Sequence, residues 1–298
     1  MNKAPVIAVV GSASMDLTCY ADVLPAAGQT LYGNLFTTGF GGKGANQAVM
    51  AALAGAHVYM VGSIGQDLFG KSLQENFKNQ KINSEYVKIS TLPTGVAHIW
   101  VDASGQNRIL IVPGANHDFN DKHAVEAISN IPDLSIVIGQ CEIPQNVTAA
   151  AFKTAKERGA ITILNPAPYQ ELSPELLANT DWLIPNEVEF EELVGSAPNN
   201  DSLSKFRPGK NSIVTLGDKG AVLVSAQGDL TPISTKKVQA IDSTGAGDCF
   251  IGSFSYALGN GSSPHVAAGF ACQIASISVT RKGAQSSYPS AAEISTLS

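Results

Sequence analysis

The chain has 298 residues, 44% of them hydrophobic and 15% charged, with a formal net charge of −6. That length admits one large α/β domain or two ordinary ones, and the composition excludes a disordered chain. Its 19 basic residues are scattered, which excludes a broad phosphate-backbone footprint, so no nucleic-acid partner is expected.

Residues 6–10, Val-Ile-Ala-Val-Val, form an apolar run that starts too early and stops too soon at Gly11 to be a signal peptide or a membrane span. No membrane is implied. Such a run predicts a strand buried on both faces, as a parallel sheet requires. Just beyond it, Ser12-Ala-Ser14-Met15-Asp16 falls at a strand's carboxyl end, where open α/β sheets gather ligands. Asp16 can accept hydrogen bonds from two neighbouring hydroxyls, the plain alternative being a solvated turn aspartate.

Residues 17–40 break the rhythm of buried runs and read as an antiparallel addition. Gly39-Phe-Gly-Gly-Lys-Gly-Ala-Asn-Gln47 then precedes an alanine-rich helix over 48–54. Gly39, Gly41 and Gly44 satisfy G-x-G-x-x-G by count, but no clean βαβ unit begins here. The better reading is a backbone-lined pocket in which Lys43 and Asn46 donate to a polyol.

Apolar runs recur at 57–61, 134–138, 160–164, 182–184 and 212–216, with helix-like stretches such as 148–158 between them. The alternation predicts an α/β fold: a doubly wound, mostly parallel sheet with helices on both faces. Residues 94–112 alternate and turn like a hairpin. With 17–40 they predict a small β-sheet lid. Residues 196–211, rich in Pro, Asn and Ser, are the only linker-like segment.

Asp242-Ser-Thr-Gly-Ala-Gly-Asp248 precedes an apolar helical pattern. Gly245 and Gly247 let consecutive backbone N–H groups approach an anion with a helix dipole behind them. Asp248 would sit in the first helical turn, placed to take a proton from an attacking hydroxyl. Taken alone, the segment reads equally well as a capped helix start. A Walker A loop would need Lys-Ser or Lys-Thr after its last glycine, and a dinucleotide fingerprint a glycine where Phe250 stands.

Cys19, Cys141, Cys249 and Cys272 lie far apart, which predicts small buried thiols in a reducing compartment, the cytoplasm by default, with no zinc site. The Cys249 thiol should point into helix packing rather than act as a nucleophile. The five histidines show no ligand spacing, and Trp100 and Trp182 read as core side chains.

Further ordered motifs are Gly11-Ser-x-x-x-Asp16, Val112-x-Gly-Ala-Asn116, Gln140-x-Glu142, Asn165-Pro-Ala-Pro168, Pro185-Asn-Glu-x-Glu189, Thr215-Leu-Gly-x-Lys-Gly220 and Thr280-Arg-Lys-Gly-Ala-Gln285. Together with the two glycine-rich segments, the chain resembles the ribokinase and phosphofructokinase-B family of carbohydrate and nucleoside kinases over nearly its whole length. The resemblance implies one kinase domain over 1–298, with lid strands from about 17–40 and 94–112. It implies transfer of the ATP γ-phosphoryl group to the 5-hydroxyl of a furanose, D-ribose first, with Asp248 as general base.

By the same resemblance, Ser14, Met15, Asp16, Gly42, Lys43, Gly44, Ala45, Asn46, Glu142 and Asp248 fall on sugar-binding positions. Asn186 and Glu189 organise Mg²⁺ and phosphates. Thr215, Leu216, Gly217, Asp218, Lys219, Gly220, Gly245, Ala246, Gly247 and Cys272 fall on the ATP side. An activating K⁺ maps to Asp242, Thr244, Ser278, Arg281, Gly283 and Ser287, largely through backbone carbonyls. A homodimer through the lids is implied as well.

The chain departs from the family pattern in places. Ser14 stands where many members carry Asn, which shortens or removes one amide contact to the sugar. Cys272 stands near the adenine, where Asn or His is commoner, and 196–211 is shorter than usual. Gln285-Ser-Ser-Tyr-Pro289 looks as much like the 2-deoxyribose kinases as the ribose kinases. A 2-deoxy-D-ribose kinase, another sugar or nucleoside kinase and a catalytically silent sugar or nucleotide sensor therefore stand as alternatives, and a dinucleotide-dependent oxidoreductase suffers from the misplaced glycines.

Overall fold

The computed structural model describes residues 3–207 and 209–297. Strand β1 (Val6–Val10) is buried along its whole length. Its alternating side chains divide between two cores, Ile7 and Val9 on one face, Val6, Ala8 and Val10 on the other. The chain then leaves the body as β2 (Ser14–Tyr20) and β3 (Leu35–Gly41), and returns through α1 (Lys43–Ala54), β4 (His57–Gly65), α2 (Leu68–Asn79) and β5 (Val87–Ser90). A second excursion forms β6 (Gly95–Val101) and β7 (Asn107–Val112).

The winding resumes with α3 (Asp121–Asn130), β8 (Leu134–Gly139), α4 (Gln145–Glu157), β9 (Ile161–Leu164), α5 (Pro174–Ala178) and β10 (Trp182–Leu183). Helices α6 (Glu187–Val194) and α7 (Asn200–Ser204) lead to β11 (Asn211–Thr215), β12 (Ala221–Val224) and β13 (Leu230–Ile233). Helices α8 (Ala246–Gly259), α9 (Pro264–Ser278) and α10 (Ala291–Ser295) complete the described chain.

The main sheet runs β13-β12-β11-β10-β9-β8-β1-β4-β5, parallel except at the β12 and β13 edge. Because sheet order reverses beside β1, the crevice at the carboxyl ends of the central strands is the place for a ligand. The core on one face draws on α1, α8 and α9, that on the other on α3, α4 and α6. Phe254 of α8 is fully buried, with its ring 5.4 Å from Trp182 and stacked 6.2 Å from Phe250. No helix of the described residues is long and apolar enough to cross a membrane.

The second sheet has the order β3-β2-β6-β7. Each predicted stretch folds as the antiparallel pair expected, β2 with β3 and β6 with β7, and the two join through parallel contact of β2 with β6. Each excursion starts from the same end of the body, so its first strand runs outward beside the other's. Strand β2 also begins at Ser14 rather than 17, which brings Asp16 onto the lid. Asn116 clamps the lid's root: its amide donates to the Ala13 carbonyl and accepts from the Ala13 N–H, both at 3.0 Å.

Three further expectations change. Trp100 is 42% exposed on the lid, because the two-residue period there alternates between a covered face and an open one. Cys19 is exposed on the same sheet, whereas Cys141, Cys249 and Cys272 are buried free thiols. The segment 196–211 contains α7, started by an Asn199 capping box that the Pro- and Asn-rich composition hid.

Replacing Phe254 by Ala should destabilise the protein by about 3–5 kcal/mol, because the cavity opens among rigid aromatic neighbours. Trp100→Ala should change stability by less than about 1 kcal/mol. Urea denaturation of both variants checks the contrast, and a larger loss at Trp100 would contradict this reading of the lid.

Candidate active site

Asp248 lies in the first turn of α8 and is only 5% exposed. Two consecutive carboxamides near the start of α1 reach it. Asn46 Nδ2 donates to Asp248 Oδ2 at 3.0 Å, and Gln47 Nε2 donates to Oδ1 at 2.8 Å. A carboxylate held by neutral donors keeps lone pairs with which to accept a proton, as a general base must.

Gly245 caps α8 with a φ of 73°, the left-handed backbone that glycine adopts without strain. The Tyr288 hydroxyl donates to its carbonyl at 3.2 Å, so the C-terminal loop holds the peptide that opens the helix. A Cβ on Gly247 would meet no atom within 4 Å, which leaves that face open to an anion at the helix N-terminus. The expected row of consecutive anion-facing amides is incomplete in this conformation. The Ala246 N–H turns back to the Ser243 carbonyl at 3.1 Å, because the entry to α8 is a tight turn.

Helix α1 starts at Lys43, so the expected pocket loop is in fact a helix N-terminus. Its cap, Gly42, has a φ of 86°, and a Cβ there would lie 2.8 Å from the Ala13 Cα. Glu142, after β8, accepts hydrogen bonds from the Ser12 hydroxyl and, at 2.9 Å, from the Lys43 N–H. Ser12, Ser14, Asp16, Gly42, Asn116 and Glu142 line a small recess of about 70 Å³ between lid and body.

Gly44 and Ala45 are outside that lining, and their N–H groups are engaged by Ser12, by its Oγ at 3.3 Å and its carbonyl at 2.8 Å. Met15 points the other way along β2 and packs into the core, so its side chain does not reach the recess.

Electrostatics tie the recess to Asp248. Burial, reinforced by Glu142 and Asp248, raises the Asp16 carboxyl to about 6. Burial alone would lower the Lys43 ammonium, but Asp248, Glu142 and Glu189 outweigh it and raise it above the ordinary lysine value. Lys43, Asn186, Glu189, Gly245, Gly247 and Asp248 line an adjoining cavity of about 210 Å³. Asn186 and Glu189 form a capping box on α6, with the Asn186 N–H donating to Glu189 Oε2 at 2.9 Å. Burial raises the Glu189 carboxyl despite this bond and the nearby Lys43.

The third cavity, of about 480 Å³, shares Asn186, Thr215 and Gly247 with the second. Gly217, Asp218, Gly220, Ala246 and Cys272 also line it. Burial pushes the Cys272 thiol up to about 11, so it presents an uncharged wall. Leu216 and Lys219 stay outside this lining. The Leu216 N–H donates to the Gly220 carbonyl at 2.7 Å, and Lys219 Nζ lies 3.6 Å from the Glu187 carboxylate.

Two loops meet beside the start of α8. Asp242 Oδ1 accepts from the Thr244 N–H and hydroxyl at 2.9 and 2.6 Å, and Oδ2 from the Gly283 N–H at 2.8 Å. Burial opposes ionisation of Asp242, but these bonds and Lys282 outweigh it and lower the carboxyl below its usual range. Ser278 and Ser287 turn their hydroxyls to the Ala275 and Ala284 carbonyls, and the Arg281 guanidinium pairs with Glu293. Backbone oxygens are what these three residues can offer a cation, an oxygen-only set that fits a hard monovalent ion. Among the described residues no group of three His, Cys, Asp or Glu side chains converges as a metal cage.

Residues 5–291 match the family profile described as pfkB family carbohydrate kinase. The chain belongs to that family. A ribokinase of Dictyostelium discoideum is 38% identical to it, over 97% of this chain and 98% of the relative. A deoxyribokinase of Salmonella typhi is 36% identical over 95% of each. The structure of an Arabidopsis thaliana ribokinase, described as complexed with ribose and ATP, superposes with a TM-score of 0.90 at 32% identity over 99% of each chain.

Several side chains that build this pfkB-family cleft had no role assigned from sequence: Ser12, Gln47, Asn116, Asn165 and Tyr288. All but Tyr288 lay inside motifs that were legible as strings. Tyr288 sat in the tail 285–289, where nothing local signals a hydroxyl reaching 43 residues back.

Asp16 makes stability depend on pH. Its folded value is raised, so its contribution is fully present below the unfolded value near 4 and is lost as pH rises through about 6. Wild type should therefore lose up to about 3 kcal/mol relative to Asp16→Asn between pH 4 and 7. Parallel urea titrations check this, and a pH-independent difference would contradict it.

Proposed function

We propose that this carbohydrate kinase transfers the γ-phosphoryl group of ATP to the 5-hydroxyl of D-ribose, giving D-ribose 5-phosphate and ADP. The observation that carries the reading is Asp248 in a cavity that shares Asn186, Thr215 and Gly247 with the large one, with the charge of the Asp16 recess felt at its other side. Full-length likeness to ribokinases supports it, as does a structural neighbour described with ribose and ATP.

In this reading Asp16 and Glu142 accept from sugar hydroxyls, while Asn46 and Lys43 donate to them. Asp248 takes the 5-hydroxyl proton as the oxygen–phosphorus bond forms and the bond to the ADP oxygen breaks. Little covalent help is needed, because positioning and charge neutralisation dominate phosphoryl transfer.

Mg²⁺, organised by Asn186 and Glu189 through water and phosphate oxygens, and K⁺, at Asp242 and the carbonyls of the 278–287 loop, would supply that neutralisation. Lys43 and the α8 N-terminus steady the same anion. The whole chain acts as one domain in this proposal, with the small sheet as lid. Exposed Leu35, Phe36, Ile109 and Leu110 on that sheet support a homodimer through the lids, and the free buried thiols support a cytoplasmic setting.

ATP consumption with ribose, 2-deoxyribose, fructose and adenosine tests the assignment. Ribose should be turned over fastest, and Asp248→Asn should lower kcat by about 10²-fold or more. Faster turnover of 2-deoxyribose would move the reading to the deoxyribokinase alternative, while wild-type rates in Asp248→Asn would remove the base. Initial rates should rise when K⁺ replaces a bulky organic cation, and equal rates would remove the cation site.

A further inference from the structure

A primary carboxamide can turn over with almost no change in shape, exchanging its donor and acceptor ends, so only its partners decide which end faces a neighbour. Each oxygen of Asp248 meets one such group, and each group is oriented by another. Gln47 Oε1 accepts from Gln140 Nε2 at 2.7 Å. Its Nε2 is thereby aimed at Asp248 Oδ1 and at Asn165 Oδ1, 3.2 Å away. Asn165 cannot easily reverse, since its own amide donates to the Ile184 carbonyl at 3.1 Å.

The second branch is built the same way. Asn76 Nδ2 donates to Gln285 Oε1 at 2.8 Å, and Gln285 Nε2 donates to Asn46 Oδ1 at 3.0 Å. Asn46 Nδ2 is left to face Asp248 Oδ2. Along Gln140–Gln47 and along Asn76–Gln285–Asn46, each link therefore donates toward the carboxylate. Asn46, Gln47, Asn76, Gln140 and Asn165 are all at least nine-tenths buried. Gln140 Oε1 is itself buried and accepts no hydrogen bond from the described residues.

We propose that Gln140, Gln285 and Asn76 are positioning residues that fix the direction of the Asn46 and Gln47 amides and so hold Asp248 aimed at the acceptor hydroxyl. The inference rests on Asp248 being the base. A reversed amide would set a carbonyl oxygen against a carboxylate oxygen, and the base would swing away from the line of attack. Gln285 also belongs to the 278–287 loop, so this branch joins the loop beside Asp242 to the reacting end of the cleft.

The test uses Gln140→Glu and Gln140→Met in wild-type and Asp248→Asn backgrounds, with rates normalised to active sites counted by nucleotide titration. An introduced carboxylate only accepts, so the Gln47 amide should reverse. Gln140→Glu should then lower kcat about tenfold or more, with KM for sugar and for ATP within about twofold. Gln140→Met, which removes the orienting group without reversing it, should lose less. Neither change should lower the residual rate further once Asp248 is Asn, because the two act through one group.

An equal fractional loss in both backgrounds would mark Gln140 as merely structural and overturn the proposal. So would wild-type kcat in Gln140→Glu beside a crippled Asp248→Asn, whereas wild-type rates in Asp248→Asn would instead defeat the base assignment itself. If Gln140→Glu does not fold, Gln285→Glu puts the same question through Asn46, with the same expected dependence on Asp248.

Discussion

A buried carboxylate with no cation bonded to it sets the terms for the rest of this structure. Asp248 is nearly inaccessible to solvent, and burying a charge is costly unless other groups replace the lost water. Here the replacement is neutral and directional, two amide N–H groups from adjacent residues of one helix turn. Supplying both from α1 requires that helix to begin beside the carboxyl ends of β1 and β8. Gly42 permits the approach by coming within contact of the Ala13 backbone. Lys43, drawn to three carboxylates, keeps the cleft from accumulating uncompensated negative charge.

The sheet was legible in the sequence because its signal is local. Buried parallel strands are continuous apolar runs, and β1, β8 and β9 announce themselves that way. The start of α8 was legible for the same reason, since glycine spacing and an acidic first turn lie within seven residues. The lid was harder. Its strands were visible, but their order depends on which outward strand lies beside which, information held by the whole topology and not by either hairpin. Trp100 failed on that account: period-two alternation shows that faces differ, not which one is covered.

The site divided along similar lines. Carboxylates and glycines were identifiable because their chemistry is unusual for a core. Carboxamides were not, since Gln47, Gln140 and Asn165 read as ordinary polar residues until the fold brings positions 93 and 118 residues apart within hydrogen-bond reach. The 278–287 loop was partly transparent, but the engagement of Arg281 with Glu293 depends on α10 folding back, which no motif foretells.

Asp16 belongs to the lid sheet, whereas Asp248 and the amides around it belong to the body. The two parts meet at a root formed by Ala13, Gly42 and Asn116, and where Met15 of β2 packs into the core. The walls of the recess are thus written on separable pieces of chain, Asp16 on the lid, Gly42 and Glu142 on the body. Substitutions along β2 or β6 can reshape the lid's wall of that recess while the backbone around Asp248 stays where it is. A lineage built on this plan can alter one wall of the recess by drift in one small sheet and inherit the other wall unchanged.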